Sequence, residues 1–203
     1  SLFKCVILFS TMQIEFEATF LGVDKDECRT RLKDAGATLV HPEYMQKRDV
    51  FHTPIPIEGG WLRVRQEADK ITMSIKVVNG DRIEDQKEVE LTIDSFEKGS
   101  AFLQAIGAPK KAYQETLREK WVLDGVDITI DTWPGLRPYV EVEGMAEADV
   151  KLVSEKIGFD YQDAKFCEVS SIYKEELGIP PEVMKNETPI ITFDNPPKKW
   201  SNT

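Results

Sequence analysis

Hydrophobic and polar residues alternate along eight short stretches of this chain. Each stretch predicts a strand with one apolar and one charged or polar face. Ile14–Phe20 sets Ile14, Phe16, Ala18 and Phe20 against Glu15, Glu17 and Thr19. Tyr44–His52 predicts a second strand, ended by Pro54, Pro56 and Gly59-Gly60. In Trp61–Glu67, Leu62 and Val64 oppose Arg63, Arg65 and Glu67, and in Ile71–Lys76 the apolar Ile71, Met73 and Ile75 oppose Thr72, Ser74 and Lys76. After an Asn79-Gly80 turn, Gln86–Ile93 puts Glu88 and Glu90 together opposite Val89, Leu91 and Ile93. Thr116–Leu123 carries Arg118 and Lys120, and the Asp124-Gly125 turn makes it a hairpin with Val126–Asp131, which carries Asp127, Thr129 and Asp131. Tyr139–Glu143 contributes Glu141 and Glu143.

Helical spacing appears after the first, fifth and eighth strands. Asp24 is a natural N-cap for a helix with Cys28, Leu32 and Ala35 as its stripe and Gly36 as its stop. Ser95 to Ile106 predicts a helix burying Phe96, Phe102, Leu103 and Ile106, and Ala146 to Ile157 predicts a third, stopped by Gly158. Short strands joined by tight turns, with helices between some of them, define an α+β antiparallel sheet with helices packed outside it.

Charged strand faces are ordinarily solvated. Here the charges come as same-sign i, i+2 pairs, an arrangement in which like neighbours repel on an open face. Acidic strands (15/17, 88/90, 141/143) also interleave with basic ones (63/65, 118/120). If the sheet closes into a barrel, one wall of the lumen is cationic and the other anionic.

Composition bounds the rest. A chain of 203 residues suits one domain and buries roughly 70% of its unfolded surface. A net charge of −10 argues against a nucleic-acid-coating face. Cys5, Cys28 and Cys167 are scattered and odd in number, which suits a reducing compartment, so the expected location is cytoplasmic. The apolar run Val6–Phe9 is too short to span a bilayer, and no membrane association is expected. Met12 directly precedes the first strand, so residues 1–11 are expected to be a non-native or weakly ordered extension, residues 12–178 the domain, and residues 179–203 an extended tail of low periodicity. His41 and His52 fall outside the charged pairs, and Trp61, Trp121 and Trp133 are expected to be outer packing or loop anchors.

The ordered set of charged positions resembles the CYTH superfamily, the triphosphate tunnel metalloenzymes. Glu15-x-Glu17 is similar to the start of its ExExK signature. Arg63-x-Arg65, Lys76, Glu88-x-Glu90, Arg118-x-Lys120, Asp131 and Glu141-x-Glu143 follow in order, over about residues 13–160. The signature lysine falls on Thr19, which keeps a hydrogen-bond donor but loses the charge. The resemblance implies an eight-stranded closed antiparallel barrel whose lumen binds a small-molecule triphosphate or nucleotide with Mg²⁺ or Mn²⁺, and it leaves a homodimer open. It implies a metal-dependent hydrolase of inorganic or small organic triphosphates, with an adenylyl cyclase or a non-catalytic polyphosphate-binding module as alternatives. On that resemblance Arg63, Arg65, Lys76, Arg118, Lys120 and Thr19 face the triphosphate. Glu15, Glu17, Glu141 and Glu143 are the first-choice metal ligands, with Asp131, Glu88 and Glu90 behind them. Glu15, Glu17, Lys76 and Asp131 are the candidate catalytic groups. No Ser-His or Cys-His arrangement suggests a covalent intermediate, so the expected nucleophile is a metal-activated water.

Overall fold

The structure, a computed structural model, describes residues 12–80 and 82–201. Its strands are β1 (Gln13–Ile14), β2 (Phe16–Phe20), β3 (Thr38–His52), β4 (Gly60–Gln66), β5 (Ile71–Val78), β6 (Gln86–Ile93), β7 (Lys110–Leu123), β8 (Val126–Thr132), β9 (Tyr139–Gly144) and β10 (Ile190–Ile191). Its α-helices are α1 (Lys25–Asp34), α2 (Phe96–Ala105), α3 (Glu147–Lys156), α4 (Val169–Leu177) and α5 (Pro181–Asn186).

The first strand of the sequence pattern is interrupted at Glu15, and that interruption closes the sheet. β1 pairs antiparallel with β6 and β2 with β9, at the two ends of the path β1-β6-β5-β4-β3-β7-β8-β9-β2. One stretch of chain therefore supplies both edges, and the Glu15 N–H donates to the Gln86 carbonyl at 3.0 Å across the join. The result is a nearly closed antiparallel barrel. Counting residues 13–20 as one broken strand, its eight strands are those the alternation predicts, and β10 adds a parallel pairing on β7.

Apolar residues are packed in three places, the first two outside the barrel and the third bordering its cavity. Helices α1 and α3 pack Cys28, Leu32, Val150, Val153 and Ile157 onto Phe20, Ile128, Ile130, Val140 and Val142 of β2, β8 and β9. The Asp24 side chain accepts from the Asp26 and Glu27 N–H groups and starts α1 as expected. Helix α2 covers β4 and β5 through Phe96, Gly99, Ser100 and Leu103. Of the expected stripe Phe96 and Leu103 are buried in this i, i+3, i+4, i+7 set, whereas Phe102 and Ile106 are 55% and 51% exposed. Ser100 fixes the helix's rotation by donating to the Asp49 carboxylate at 2.8 Å. Third, Ile179, Met184 and Ile191 pack with Trp133, Tyr139, Ile172 and Tyr173. Residues 179–191, where low periodicity predicted an extended segment, thus contribute a helix, a strand and a share of the core.

Strands β3 and β7 begin earlier than predicted. They pair from Thr38↔Val122 to Phe51↔Lys110, with register shifts around His41 and near Phe51. The expected β7–β8 hairpin is present, with Asp124 and Gly125 both at positive φ (51° and 82°) as a tight two-residue turn requires.

Candidate functional site

Because the apolar faces point outward, the charged faces point inward. Together they line one cavity of about 770 Å³. Glu15, Glu17, Arg63, Arg65, Lys76, Glu88, Glu90, Arg118, Lys120, Glu141 and Glu143, from six strands and the β1–β2 break, all reach it. Among the described residues, Asp131 and Thr19 do not line it. Asp131 is 1% exposed and lies behind Arg118, whose Nε and Nη2 donate to its two oxygens at 2.7 and 2.5 Å. Thr19 is 2% exposed, and its backbone exchanges hydrogen bonds with Lys165. Asp131 is thus placed to hold a cation in position, and Thr19 stands at the edge of the lumen's acidic side, opposite Glu141 in register.

On the cationic side, Arg63 donates to Glu88 and Arg65 to Glu90, both at 2.9 Å, while Lys70 reaches Glu90 at 3.0 Å. Arg118 joins Asp131 to Glu141, with 2.7 Å to the latter. Lys120 pairs with Asp127 at 2.7 Å and Lys76 with Glu15 at 2.6 Å. Burial works to lower Lys76, but Glu17, Glu15 and Glu88 outweigh it and hold the amine charged. Arg118 is stabilised the same way by Asp131 and Glu141, against its burial.

The acidic side is crowded. Glu17 and Glu143 are register partners, as are Thr19 and Glu141 one step along. Burial pushes Glu15 up to about 8 despite Lys76, with Glu88 and Glu143 adding to the rise. Burial and then the Glu17 charge raise Glu143 and raise Glu141 further. Glu88 goes the other way: burial is overcome by Arg63, a hydrogen bond with Glu15, and Lys76. These are hard oxygen donors held in excess of the local cations, the donor chemistry that Mg²⁺ and Mn²⁺ take. Among the described residues no three acidic, histidine or cysteine groups already converge in metal-holding geometry. Magnesium needs only one or two carboxylates and fills its shell with water and phosphate oxygens, so the set fits the ion.

Several lining residues escaped the sequence pattern. Arg48, Gln114, Lys111, Tyr139, Met184 and Ile191 all reach the cavity. So do Trp61 and Trp133, expected to be outer packing or loop anchors, the latter in the β8–β9 loop; Trp121 packs outside, 3% exposed among the helices of the outer core. Trp61 shares its strand face with Arg63 and Arg65, so the period-2 rule already placed it inside. Trp133 follows β8 and turns inward beneath α4 and α5. His41 meets Asp69 at 3.4 Å and does not line the cavity, nor does His52.

A nearly closed barrel with a guanidinium-rich wall facing a carboxylate-rich one defines a charged tunnel. The chain belongs to the CYTH domain family, whose model matches residues 13–174. Members of this family bind triphosphate substrates, typically as triphosphatases or cyclases, and generally use divalent metals. Solved structures of the same fold include a conserved hypothetical protein from Pyrococcus furiosus (21% identity, TM-score 0.63, covering 76% of this chain and 96% of that one). An adenylate cyclase candidate from Vibrio parahaemolyticus has 16% identity and a TM-score of 0.67, over 82% and 99% of the two chains. An adenylyl cyclase candidate from Hippeastrum, described with a dominant triphosphatase activity, has 15% identity and a TM-score of 0.53 over 84% and 99%. At these identities the likeness is one of fold. No curated protein matches the sequence. Among the described residues no helix is long and apolar enough to cross a membrane.

Proposed function

We propose that the protein is a metal-dependent hydrolase of inorganic triphosphate or a small organic triphosphate. The observation that carries this reading is the cationic wall. Arg48, Arg63 and Arg65 line the cavity, and the Nε–H group of each is buried with no acceptor. Buried guanidinium donors without acceptors call for an anionic oxygen ligand, and planar guanidinium groups match phosphate oxygens.

A triphosphate carries about four negative charges near neutral pH, and its transfer depends on positioning and charge neutralisation. In this reading Arg63 and Arg65 grip phosphate oxygens from one side, Arg118 and Lys120 from the other, and Lys76 supplies a compact charge beside the acidic wall. Asp131 fixes the plane of the Arg118 guanidinium. Glu15, Glu17, Glu141 and Glu143 would hold Mg²⁺ or Mn²⁺, which supplies charge neutralisation and a more acidic water. In the reaction the water oxygen bonds to the terminal phosphorus and the bond from that phosphorus to the bridging oxygen breaks. The water's proton passes to a carboxylate of the acidic wall, and phosphate leaves together with the diphosphate: pyrophosphate from inorganic triphosphate, the organic diphosphate from an organic one.

Phosphate release from triphosphate, thiamine triphosphate and ATP, each with Mg²⁺ or Mn²⁺, tests the assignment. Phosphate is expected; pyrophosphate together with cyclic AMP from ATP would assign a cyclase, and tight binding without product a binding module. Glu17→Ala and Arg63→Ala should each lower turnover at least a hundredfold while the circular dichroism spectrum stays that of the parent. Parental rates in both variants would rule out this lumen as the site.

A further inference from the structure

Three of the four arginines in the lumen are matched to carboxylates: Arg63 to Glu88, Arg65 to Glu90, and Arg118 to Asp131 and Glu141. Arg48 is not. Its side chain lies in the middle of β3, 7% exposed, opposite Arg65 on one neighbouring strand and Gln114 on the other. One guanidinium nitrogen donates to Gln46 Oε1 and to Thr116 Oγ1 (2.7 Å to the latter), and both acceptors are neutral. The Trp133 ring covers the guanidinium at 4.6 Å. Among the described residues no carboxylate comes within 4.0 Å of it, and its Nε–H has no acceptor. Its surroundings on balance oppose its charge: burial acts first, then the nearby Arg63, Arg65 and Arg118, with the more distant Asp131 acting the other way.

A buried charge without a counter-ion is strongly unfavourable, and none of the described residues forms an ion pair with it. The neutral acceptors and the tryptophan aim and pack the group, but they do not neutralise it. Thr19, on the opposite side of the lumen, adds no cation either.

We propose that Arg48 is a direct phosphate-binding residue whose counter-ion is the ligand, with its free Nε–H donating to a phosphoryl oxygen beside Arg65. This rests on the triphosphate reading above, and deepens it by assigning the one lumen arginine that, among the described residues, lacks a carboxylate partner. Gln46, Thr116 and Trp133 are then the positioning residues of this contact.

Calorimetric titration with sodium tripolyphosphate in the presence of EDTA, where no turnover occurs, tests the assignment. The wild type should bind, and Arg48→Gln should bind about tenfold more weakly or worse, consistent with loss of a charge-assisted contact. Arg48→Lys, which keeps the charge without the planar fork, should recover part of the loss. The melting temperature of unliganded Arg48→Gln should match or exceed that of the wild type, while the rise conferred by tripolyphosphate should shrink. A purely structural arginine would give the opposite pattern. Binding by Arg48→Gln within twofold of wild type would overturn the assignment and leave the triphosphate reading standing. Failure of Arg48→Gln to fold would also overturn it, because a cation balanced by the ligand cannot be what holds the empty barrel together. If wild-type protein binds tripolyphosphate neither in EDTA nor with Mg²⁺, both readings fall.

Discussion

Asp131 shows how much a single residue's role depends on what stands in front of it. Its place in the ordered series marked it as a catalytic and metal-ligating candidate, yet both its oxygens are taken by Arg118 and it is buried behind that side chain. Removing the charge while keeping the shape, as in Asp131→Asn, leaves the Arg118 guanidinium with Glu141 alone. Breaking a buried pair on one side costs about 3–5 kcal/mol; the Glu141 contact remains, so the lower end of that range is expected in urea denaturation. An Asp131→Asn protein as stable as its parent would mean that Arg118 is held by Glu141 and not by Asp131. The inward-facing charges were legible because they came in same-sign pairs. Arg48 was not, since Gln46 and Val50 are its neighbours on that face and the pair signal needs two charges.

At the scale of elements, alternation reported the strands well wherever helices cover one side and the lumen lies on the other. It failed where a different partner does the covering. The early half of β3 is broken by Pro42 and by register shifts, so its periodicity is interrupted even though it pairs with β7. The start of β7, Lys110 to Glu115, is polar, and part of it is paired by β10 from near the end of the chain. The apolar residues of the last segment are few and find their partners, Trp133, Tyr139 and Tyr173, far away in sequence, which no local pattern can register. Turns were read more surely, because their backbone demands are local. Gly59, just before β4, has φ +67° and accepts a hydrogen bond from Val78, whose own carbonyl would lie 2.1 Å from a Cβ at this position. Both the left-handed backbone and the contact with main chain resist a side chain. Gly59→Ala should therefore destabilise the protein by about 1–3 kcal/mol, read as a lower denaturation midpoint with an unchanged slope. An unchanged midpoint would show that the β4–β5 end relaxes freely.

Across the whole molecule the acidic wall is an electrostatic load that no single strand creates. Glu15 at the β1–β2 break, Glu17 on β2, Glu88 on β6, and Glu141 and Glu143 on β9 converge only when the barrel closes. Burial raises Glu15 from its ordinary 4.5 to about 8, and raises Glu141 and Glu143 with the help of Glu17. For these three groups the metal-free folded state binds protons that the unfolded chain has already released. Their contribution to stability is therefore present below about 4.5 and lost as pH climbs through the raised folded values, for Glu15 through about 8. A divalent ion requires the ionised carboxylates and so must displace those protons. Metal affinity is expected to rise as pH climbs through the raised folded values, for Glu15 about 8, with proton uptake by the buffer on each addition of Mg²⁺ or Mn²⁺. Calorimetry in two buffers of different ionisation enthalpy measures the proton count directly, and thermal melts with EDTA or with metal should diverge more at pH 8 than at pH 6. A metal-induced shift of the same size at both values, with no proton release, would mean that the ion binds away from these carboxylates.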